Sequence, residues 1–463
     1  MSYNPEQFDR RAFIVRGRGQ EERDVFLPLI AAQIEEMTPC DSDSFRKGLS
    51  DYLCIILGFE NYSSLTTANK KTIDNWFTET IGKILGLYYY SRGQAYISEN
   101  GSRLLETNDH PQFYKNICAS LQVPNGINKR ATAKEFENLG ISFYPCIKLL
   151  GILKYIYTES CDIFFLTKKE IAYFILNNLS VMRGEANDNL QIISSIENAR
   201  RTDSEREINR LIDDKNPSYY TQHTNECLNL LEYANLVIVD GSKVSINHRD
   251  MIGVNEVLDC EREEHRFELS TDNADYEEQW LAHYGFLRKN FSPTQFNSLR
   301  RDESSEPGIV ENITGESSTT EIGNIGEEIV YQYERKKVHQ CQPDDLSRVV
   351  NLSNTRGIGY DIHSVRCDGS ALRSGNKFIE VKTTKRVLPI SSREIADSFS
   401  ITRNEYDKLI QEDDNFWIYR VYLTSEGNFL RKIQNPKLSI EIKPIIKTYS
   451  CSFAVEGFGI EKL

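Results

Sequence analysis

The chain has 463 residues, more than one hydrophobic core accommodates, so we expect two to four domains. No run of eighteen apolar residues occurs, and the first twenty residues are polar and contain several arginines, which argues against a membrane span or a secretory signal and predicts a cytoplasmic protein. The ten cysteines are dispersed without a Cys-x-x-Cys pair, which argues against zinc ribbons and disulfide frameworks and predicts reduced thiols.

The net charge is −13, and the acidity is concentrated upstream. Residues 322–463 contain 21 basic and 19 acidic residues, a net charge of +2, whereas residues 1–321 contain 34 and 49, a net charge of −15. Because nucleic-acid binding depends on a local basic stripe, an acidic total does not exclude it. The charge predicts binding through patches, with an affinity that falls as salt rises.

The first three hundred residues are mostly helical by periodicity. Within 1–160 the pattern predicts a helix over Thr72–Leu85, then two short strands, Leu87–Tyr90 and Ala95–Ser98, joined by a turn, and a further helix over Glu99–Leu105. A helix followed by a hairpin is typical of a winged helix. We therefore predict a helical DNA-recognition region over 1–160 that contains one winged-helix-like unit.

Residues 161–291 are predicted to form a second winged-helix-like DNA-recognition domain. Helices are expected over Thr167–Asn177, Thr202–Asp213 and Tyr219–Glu232, and the last precedes a hairpin, Ala234–Ile246, that turns at Asp240-Gly241. Winged helices place one helix in the major groove, although the same fold also joins proteins. The candidate DNA-binding side chains are Tyr219, Tyr220, Gln222, His223, Asn225, Arg200 and Arg201, and for the arginines a solvated helix face is the alternative.

Residues 292–320 are poor in large apolar residues and rich in Ser, Gly, Pro and acids, which predicts a flexible linker. The segment 321–463 is then expected to form a separate C-terminal domain. No Gly-x4-Gly-Lys-Ser/Thr motif occurs, so the sequence contains no P-loop.

Two apolar, alternating segments in the C-terminal domain predict an antiparallel hairpin. The first is Gly359-Tyr360-Asp361-Ile362, the second is Phe378–Thr384, and Arg366–Asn376 is expected to form the turn between them. Side chains alternate along a strand, so Glu380 and Lys382 are expected on one face, with Val381 buried behind them. Pairing of the two strands can bring Asp361 alongside.

These residue types suit a metal-dependent phosphodiesterase. Mg²⁺ takes oxygen ligands and keeps several waters, so Asp361, Glu380 and the main-chain carbonyl of Val381 are candidate ligands, with Mn²⁺ as a substitute for Mg²⁺. Lys382 is the candidate catalytic cation beside the attacking water or the phosphate. The alternative is a surface ion pair between Glu380 and Lys382. His363 is the histidine closest to this site and is expected as a neighbour or phosphate contact more than as a ligand.

From about Thr320 to Phe453 the chain resembles the nuclease-fold domain named after the C-terminus of the plant protein NO VEIN, within the PD-(D/E)xK superfamily. The resemblance rests on Gly326-Glu327, Gly359–Ile362, Ile379–Thr383, Ser400–Glu405 and Phe416–Val421, although Tyr360 replaces the superfamily's proline. It implies that Asp361 and Glu380 are metal ligands, that Lys382 is the catalytic lysine, and that Glu327 is a helix carboxylate facing the site. A first-turn acid favoured by the helix dipole is the alternative for Glu327, and Glu328 is the competing position. Ser400, Thr402 and Asn404 are expected to cap the next helix.

The expected fold is multidomain α+β, with a mostly helical N-terminal region of winged-helix-like units and a C-terminal restriction-endonuclease-like α/β domain. We predict a sequence-specific endonuclease that hydrolyses double-stranded DNA with Mg²⁺ in defence against foreign DNA, as a homodimer, with a DNA methyltransferase encoded nearby and no membrane association. The alternatives are a modification-dependent or other anti-phage nuclease, and a non-catalytic winged-helix scaffold that binds DNA or protein. The recognition sequence cannot be deduced from one chain.

Overall fold

The computed structural model describes residues 20–57, 59, 61–159, 163–185, 188–202, 217–260, 275–286, 291–292, 294, 319–341, 343–353, 358–368, 371–387, 396–444, 448–454 and 461–462. The described helices are α1 (Gln20–Met37), α2 (Ser42–Ile56), α3 (Thr67–Asn75), α4 (Glu99–Thr107), α5 (His110–Ser120), α6 (Arg130–Asn138), α7 (Pro145–Thr158), α8 (Lys168–Glu170), α9 (Leu179–Met182), α10 (Asn189–Arg201), α11 (Pro217–Tyr233), α12 (Met251–Asp259), α13 (Tyr276–Phe286), α14 (Thr319–Cys341), α15 (Arg403–Glu412) and α16 (Pro436–Ser439). Segments Trp76–Ile84 and Ile171–Leu176 continue α3 and α8 as π-helix, and His248–Asp250, Pro343–Arg348 and Asp413–Asn415 are 3₁₀ turns.

The described strands are β1 (Cys40–Asp41), β2 (Tyr88–Ser91), β3 (Gln94–Ile97), β4 (Leu166–Thr167), β5 (Val237–Asp240), β6 (Lys243–Ile246), β7 (Val350–Asn351), β8 (Ile362–Asp368), β9 (Ala371–Lys385), β10 (Ala396–Thr402), β11 (Phe416–Thr424), β12 (Gly427–Gln434), β13 (Glu441–Pro444), β14 (Thr448–Ala454) and β15 (Glu461–Lys462). The fold is therefore mixed α+β, with a helical N-terminal region and a C-terminal region built on β-sheet.

The described residues group into two compact units. The first comprises those within Met37–Ser102 and Pro111–Gln295, and the second those within Arg18–Glu36, Arg103–His110 and Phe296–Leu463. The boundaries expected from the sequence, including the winged-helix assignments, stay predictions. Apart from Ser292, Thr294 and the first two residues of α14, the predicted linker lies outside the described residues.

The first unit contains both helix-then-hairpin patterns expected from the sequence. Strands β2 and β3 pair antiparallel after the helix that ends at Ile84, and β5 and β6 pair antiparallel after α11. Gly241 has a φ of +59°, the left-handed conformation that an Asp-Gly hairpin turn requires. These hairpins are confirmed, whereas the helix expected over Thr202–Asp213 lies outside the described residues beyond Thr202.

Buried polar pairing fixes the end of the second hairpin. Lys115 and Asp250 are both fully buried and form an ion pair of 2.7 Å. Asp250 also accepts from Asn235 and caps α12 through the N–H of Gly253. Since removal of one partner of a buried pair leaves an uncompensated charge, this cluster specifies how the hairpin joins the helices of its unit.

The second unit is built on a six-stranded sheet of order β15-β12-β11-β9-β8-β7. Strands β9 and β11 are parallel, and the other described neighbours are antiparallel. Helix α14 packs through Ile322, Val330 and Val338 on the face that bears Ile379 and Val381. Helix α15 packs through Leu409 on the opposite face, which bears Phe378 and Ile418.

The predicted hairpin is confirmed as antiparallel, with Ile362 opposite Ile379, but the segment expected as its turn is too long. Strand β8 continues to Asp368 and β9 begins at Ala371, so most of the segment expected as a turn is strand. A register shift between Val365 and Cys367, together with Gly375 at a φ of +145°, accommodates this Gly- and Ser-rich sequence within the ladder.

Two cysteines depart from the expectation of reduced thiols. Cys341 at the end of α14 and Cys367 on β8 form a disulfide with a Cα–Cα separation of 6.4 Å. Cys40, Cys54, Cys118, Cys146, Cys227 and Cys260 are free thiols. No helix in the described part of the chain is long and apolar enough to cross a membrane.

Candidate active site

Asp361 is held in place by backbone contacts on both sides. Its N–H donates to Ile379 O (2.9 Å), its carbonyl accepts from Leu352 N (2.7 Å), and its Oδ2 accepts from Val381 N (2.8 Å). Gly359 precedes it with a φ of +80°, and a Cβ there would lie 2.6 Å from Asn404 O. Only glycine permits both this conformation and this close approach to α15, so Gly359 allows the chain to place Asp361 beside β9.

Glu380 and Lys382 project from one face of β9, as the alternation predicts. Lys382 Nζ lies 2.7 Å from Glu380 Oε1, and Glu380 is 3% exposed. Val381 between them is buried in the core on the other face. Its N–H points to Asp361, and because the N–H and C=O of one strand residue point to the same edge, its carbonyl lies on the Asp361 side as well.

Glu405 also belongs to this cluster, through a contact that the sequence did not predict. Lys382 Nζ lies 2.9 Å from Glu405 Oε2, which also accepts from Thr402 N (2.9 Å). Thr402 caps α15 in a capping box with Glu405, so the capping prediction for Thr402 is confirmed. Ser400 lies in β10 and Asn404 in the first turn of α15. The Thr-x-x-Glu spacing gave the cap but not the contact with Lys382.

Glu327 lies within α14 and approaches the cluster because of Gly326. A Cβ on Gly326 would overlap Thr383 Oγ1 and lie 2.9 Å from Thr383 Cβ, so the helix packs directly on β9 at this point. The helix begins at Thr319, which rules out the first-turn reading of Glu327. Glu328 is exposed and accepts from Gln332 (2.6 Å). Of the two positions, Glu327 is the one directed towards Lys382 and Asp361.

The cluster combines four carboxylates with one ammonium group. Burial raises the pKa of Asp361 to about 6, although the hydrogen bond from Val381 and the charge of Lys382 lower it. Burial also raises the pKa of Glu380 well above its usual value and that of Glu327 to a smaller extent. Burial raises the pKa of Glu405, but the charge of Lys382 and the hydrogen bonds from Lys382 and Thr402 together outweigh burial and hold that pKa below its usual value. Burial lowers the pKa of Lys382. The charges and hydrogen bonds of Glu380 and Glu405 together outweigh burial, so the pKa of Lys382 is raised.

This excess of buried carboxylate fits a divalent cation. No group of three His, Cys, Asp or Glu side chains with metal-binding geometry occurs in the part of the chain that is described. Mg²⁺, however, is commonly held by one or two carboxylates and retains several waters. Asp361 uses Oδ2 for Val381 and Glu380 uses Oε1 for Lys382, and each carboxylate has a second oxygen that these contacts do not use.

A cavity of about 180 Å³ opens beside Lys382. Its lining includes Asn108, Ser400 and Arg420. Asn108 donates to Thr383 O (3.1 Å), and Arg420 lies opposite Lys382 on the neighbouring strand and pairs with Asp397 at 2.9 Å. Lys382 therefore lines a cavity of mixed polar and apolar walls, with a second cation, Arg420, at its wall. His363 packs against the ring of Phe378, with 5.5 Å between ring centroids.

The residues predicted to bind DNA lie in α10 and α11 of the first unit. His223 is 0% exposed, so we withdraw it as a base-reading side chain. Arg200 pairs with Glu170 at 2.6 Å and donates to Phe165 O, which assigns it a structural contact. Gln222 is exposed and bonds Glu226 (3.1 Å), Asn225 is half-buried, and Arg201 is exposed. The side chains of Tyr219 and Tyr220 lie outside the described residues.

Comparison with known families identifies the larger part of the chain. The family model described as "Restriction endonuclease BpuJI - N terminal" matches residues 3–285, more than half of the sequence. The chain belongs to this family. Among solved structures, the BpuJ1 endonuclease binding domain in complex with pyrene- and phenanthrene-modified DNA is 30% identical, with a TM-score of 0.52, and the match covers 61% of this chain and 99% of that one.

A second family model covers the region of the carboxylate cluster. The model described as "Protein NO VEIN, C-terminal" matches residues 326–433, which confirms the resemblance to that domain. No curated protein sequence matches the chain. The two matches place a BpuJI-type N-terminal region and a NO VEIN-type C-terminal region in one restriction-endonuclease-related chain, and membership of the PD-(D/E)xK superfamily stays a prediction.

Proposed function

We propose that this BpuJI-family protein is a Mg²⁺-dependent, sequence-specific endonuclease of double-stranded DNA that acts against foreign DNA. The N-terminal region is proposed to recognise DNA, and the carboxylate cluster of the second unit to hydrolyse the phosphodiester bond. The observation that carries the proposal is the position of Lys382, whose ammonium group lies within 3 Å of both Glu380 and Glu405, close to the Asp361 carboxylate and at the wall of a cavity.

The residues divide into ligands and charge-stabilising groups. Asp361, Glu380 and the carbonyl of Val381 would hold Mg²⁺, or Mn²⁺ in its place. The ion would supply Lewis-acid stabilisation of the phosphate and a more acidic bound water. Lys382 would offset the negative charge that develops on the phosphate, which a positioned cation in a water-poor site does effectively. Glu405 would orient Lys382, and Glu327 would orient a water through a hydrogen bond.

The alternative of a simple surface ion pair between Glu380 and Lys382 is poorly supported. Such a pair contributes little and does not require burial, whereas Glu380 is almost completely buried and the carboxylates of Asp361 and Glu405 lie near it. Isolated buried acids with raised pKa values are costly to a fold and are characteristic of functional sites. The family match and the DNA-bound solved relative support a role on DNA. On the same basis we propose that the protein acts as a homodimer and that a DNA methyltransferase is encoded nearby.

The test is cleavage of plasmid DNA by the full-length protein in Mg²⁺, with Lys382→Ala compared against Lys408→Ala. Lys408 is a matched control: it pairs with Glu412 at 2.6 Å and is 20% exposed, against 19% for Lys382. We expect Lys382→Ala to lose about 10²-fold or more in rate, the scale of one electrostatic group in a preorganised site. Lys408→Ala should cut at the wild-type rate. Equal losses in both variants, or a loss below about tenfold in Lys382→Ala, would remove Lys382 from the catalytic assignment.

A further inference from the structure

A second cavity lies on the opposite face of the six-stranded sheet from the side chains of Glu380 and Lys382. Lys377 and Lys382 are five residues apart on β9, so their side chains point to opposite faces. The cavity has a volume of about 230 Å³, and its lining includes Lys337, Arg366, Lys377, Trp417 and Lys432. We call it the basic–aromatic pocket. Its size suits one small ligand and not a duplex.

Donors and cations dominate the walls of this pocket. Lys377 pairs with Glu334 at 2.7 Å, and Glu334 also accepts from Tyr419 Oη (2.6 Å) and Ser364 Oγ (2.8 Å). Arg366 donates to the carbonyl of Asp414 and to Asn415 Oδ1 (3.2 Å), both of them neutral acceptors. Four cationic side chains therefore line the cavity, and Glu334 is paired with one of them, Lys377.

Two buried donor atoms of the pocket lack an acceptor in the described structure. They are Nε of Arg366 and Nε1 of Trp417. A buried donor without a partner costs about 1–3 kcal/mol, and native structures leave few such groups. The carboxylate of nearby Asp414 accepts from Asn435 at 2.6 Å instead. Because both atoms are buried, the side chain of Arg366 or Trp417 would have to rotate before its donor could bond with an acceptor-bearing ligand in the cavity.

The lysines of the pocket lie close enough to repel one another. Burial lowers the pKa of Lys377 to about 8. The carboxylate of Glu334 raises this pKa, and the positive charges of Lys337 and Lys432 lower it further. Binding of an anion would relieve that repulsion. The pocket also offers aromatic surface, since Lys377 Nζ lies 4.8 Å from the Trp417 ring centroid and 4.6 Å from that of Tyr419. Trp417 is partly exposed, and a planar ring can stack on it.

We propose that the basic–aromatic pocket binds a nucleoside phosphomonoester, with the base against Trp417 and the phosphate among Lys337, Arg366 and Lys432. Either a free nucleotide or the 5′-phosphorylated end of a DNA strand carries this chemistry. A strand of DNA without an end offers only phosphodiesters, and the small volume of the cavity disfavours a continuous duplex. The proposal is independent of the catalytic assignment because the two sites use opposite faces of the sheet.

The test is titration calorimetry of full-length Lys382→Ala protein with dAMP, with deoxyadenosine and with inorganic phosphate. Use of the Lys382→Ala background keeps the readout separate from cleavage, so failure here and failure of the endonuclease proposal can be told apart. We expect dAMP to bind, and deoxyadenosine and phosphate to bind at least about tenfold more weakly, because each ligand loses one of the two kinds of contact. Equal binding of phosphate and dAMP, or no binding of dAMP at millimolar concentration, would overturn the proposal.

A pair of adjacent lysines provides the matched variants. Lys337 is half-buried and lines the pocket, whereas Lys336 is exposed on the same helix. Lys337→Ala should weaken dAMP at least about tenfold, by the loss of one charge-assisted contact, and Lys336→Ala should leave it unchanged. Equal affinities in the two variants would contradict the assignment. Trp417→Phe should keep a stacking ring but lose the Nε1 donor, and should weaken dAMP without weakening phosphate.

Two short oligonucleotides, one with a 5′-phosphate and one with a 5′-hydroxyl, separate the possible sources. If the phosphorylated strand binds more tightly and Lys337→Ala abolishes the difference, the pocket takes DNA ends. If both strands bind equally while dAMP still binds through Lys337, the ligand is a free nucleotide. Either result supports the phosphomonoester chemistry, and a pocket that binds none of these molecules refutes it.

Discussion

Replacement of Gly326 by alanine tests whether the close packing of α14 on β9 positions Glu327. A Cβ at residue 326 would overlap Thr383 Oγ1 and lie 2.9 Å from both Cβ and Cγ2 of Thr383. Rotation of the threonine side chain moves Oγ1 and Cγ2 but not its Cβ, so the strain cannot be removed without a shift of the helix or the strand. That shift would displace Glu327, the next residue.

The magnitude follows from two opposing effects. Alanine in place of glycine within a helix gains about 1 kcal/mol of stability, whereas overpacking in a well-packed interior costs about 1–3 kcal/mol. Gly323 provides the matched control, because a Cβ there meets only Glu327 Oε1, at 3.6 Å, an ordinary contact. Gly323→Ala should therefore be neutral or stabilising, and Gly326→Ala should be less stable than Gly323→Ala by about 1–3 kcal/mol.

Urea denaturation of both variants, followed by circular dichroism, measures the difference, and plasmid cleavage in Mg²⁺ measures the consequence for the site. We expect Gly326→Ala to lose cleavage activity under conditions where it is fully folded, and Gly323→Ala to retain it. If the two variants have the same stability and the same activity, α14 does not pack on β9 as described and Glu327 is not held at the site.

Three further predictions address the cluster and the organisation of the chain. Glu405→Gln should keep the capping box, which tolerates glutamine, and should leave the melting temperature unchanged. It should lower kcat by about tenfold or more, because the charged hydrogen bond to Lys382 is lost. An unchanged kcat would show that Glu405 acts only as a helix cap. Replacement of Mg²⁺ by Ca²⁺ should leave DNA binding in a gel-shift assay but stop cleavage, since Ca²⁺ has looser geometry; cutting in Ca²⁺ at the Mg²⁺ rate would argue against the metal site. Limited proteolysis with mass spectrometry should place the first cut within 292–320, and a first cut inside α11 or β9 would count against a linker.

The hairpins could be predicted because alternation and turn chemistry are local. Residues Lys377–Thr384 alternate between the two faces of β9, and Asp240-Gly241 supplies the turn between β5 and β6. The length of the turn between β8 and β9 was misjudged because Ser374 and Gly375 have turn composition, whereas both residues lie within β9. Local composition cannot reveal how far a strand extends.

The sequence could not predict contacts between distant segments. Glu405 meets Lys382 only because α15 starts beside β9, and the Thr402–Glu405 motif is fully explained by its capping role. The buried state of His223 depends on how α11 packs within its unit, whereas its polarity suggested exposure. Residues Arg103–His110 belong to the second unit, where Asn108 contacts Thr383 and Asp109 contacts Lys385. The periodicity of the sequence does not predict these contacts.

The most direct measurement of the central claim is plasmid cleavage in Mg²⁺ by Asp361→Asn beside the wild-type protein, with DNA binding followed in parallel by gel shift. Asparagine can still accept the hydrogen bond from Val381 N, so the local structure should persist while the carboxylate charge is removed. The account predicts that the wild-type protein cuts and that Asp361→Asn binds DNA equally well but does not cut. Cleavage by Asp361→Asn at the wild-type rate would contradict it.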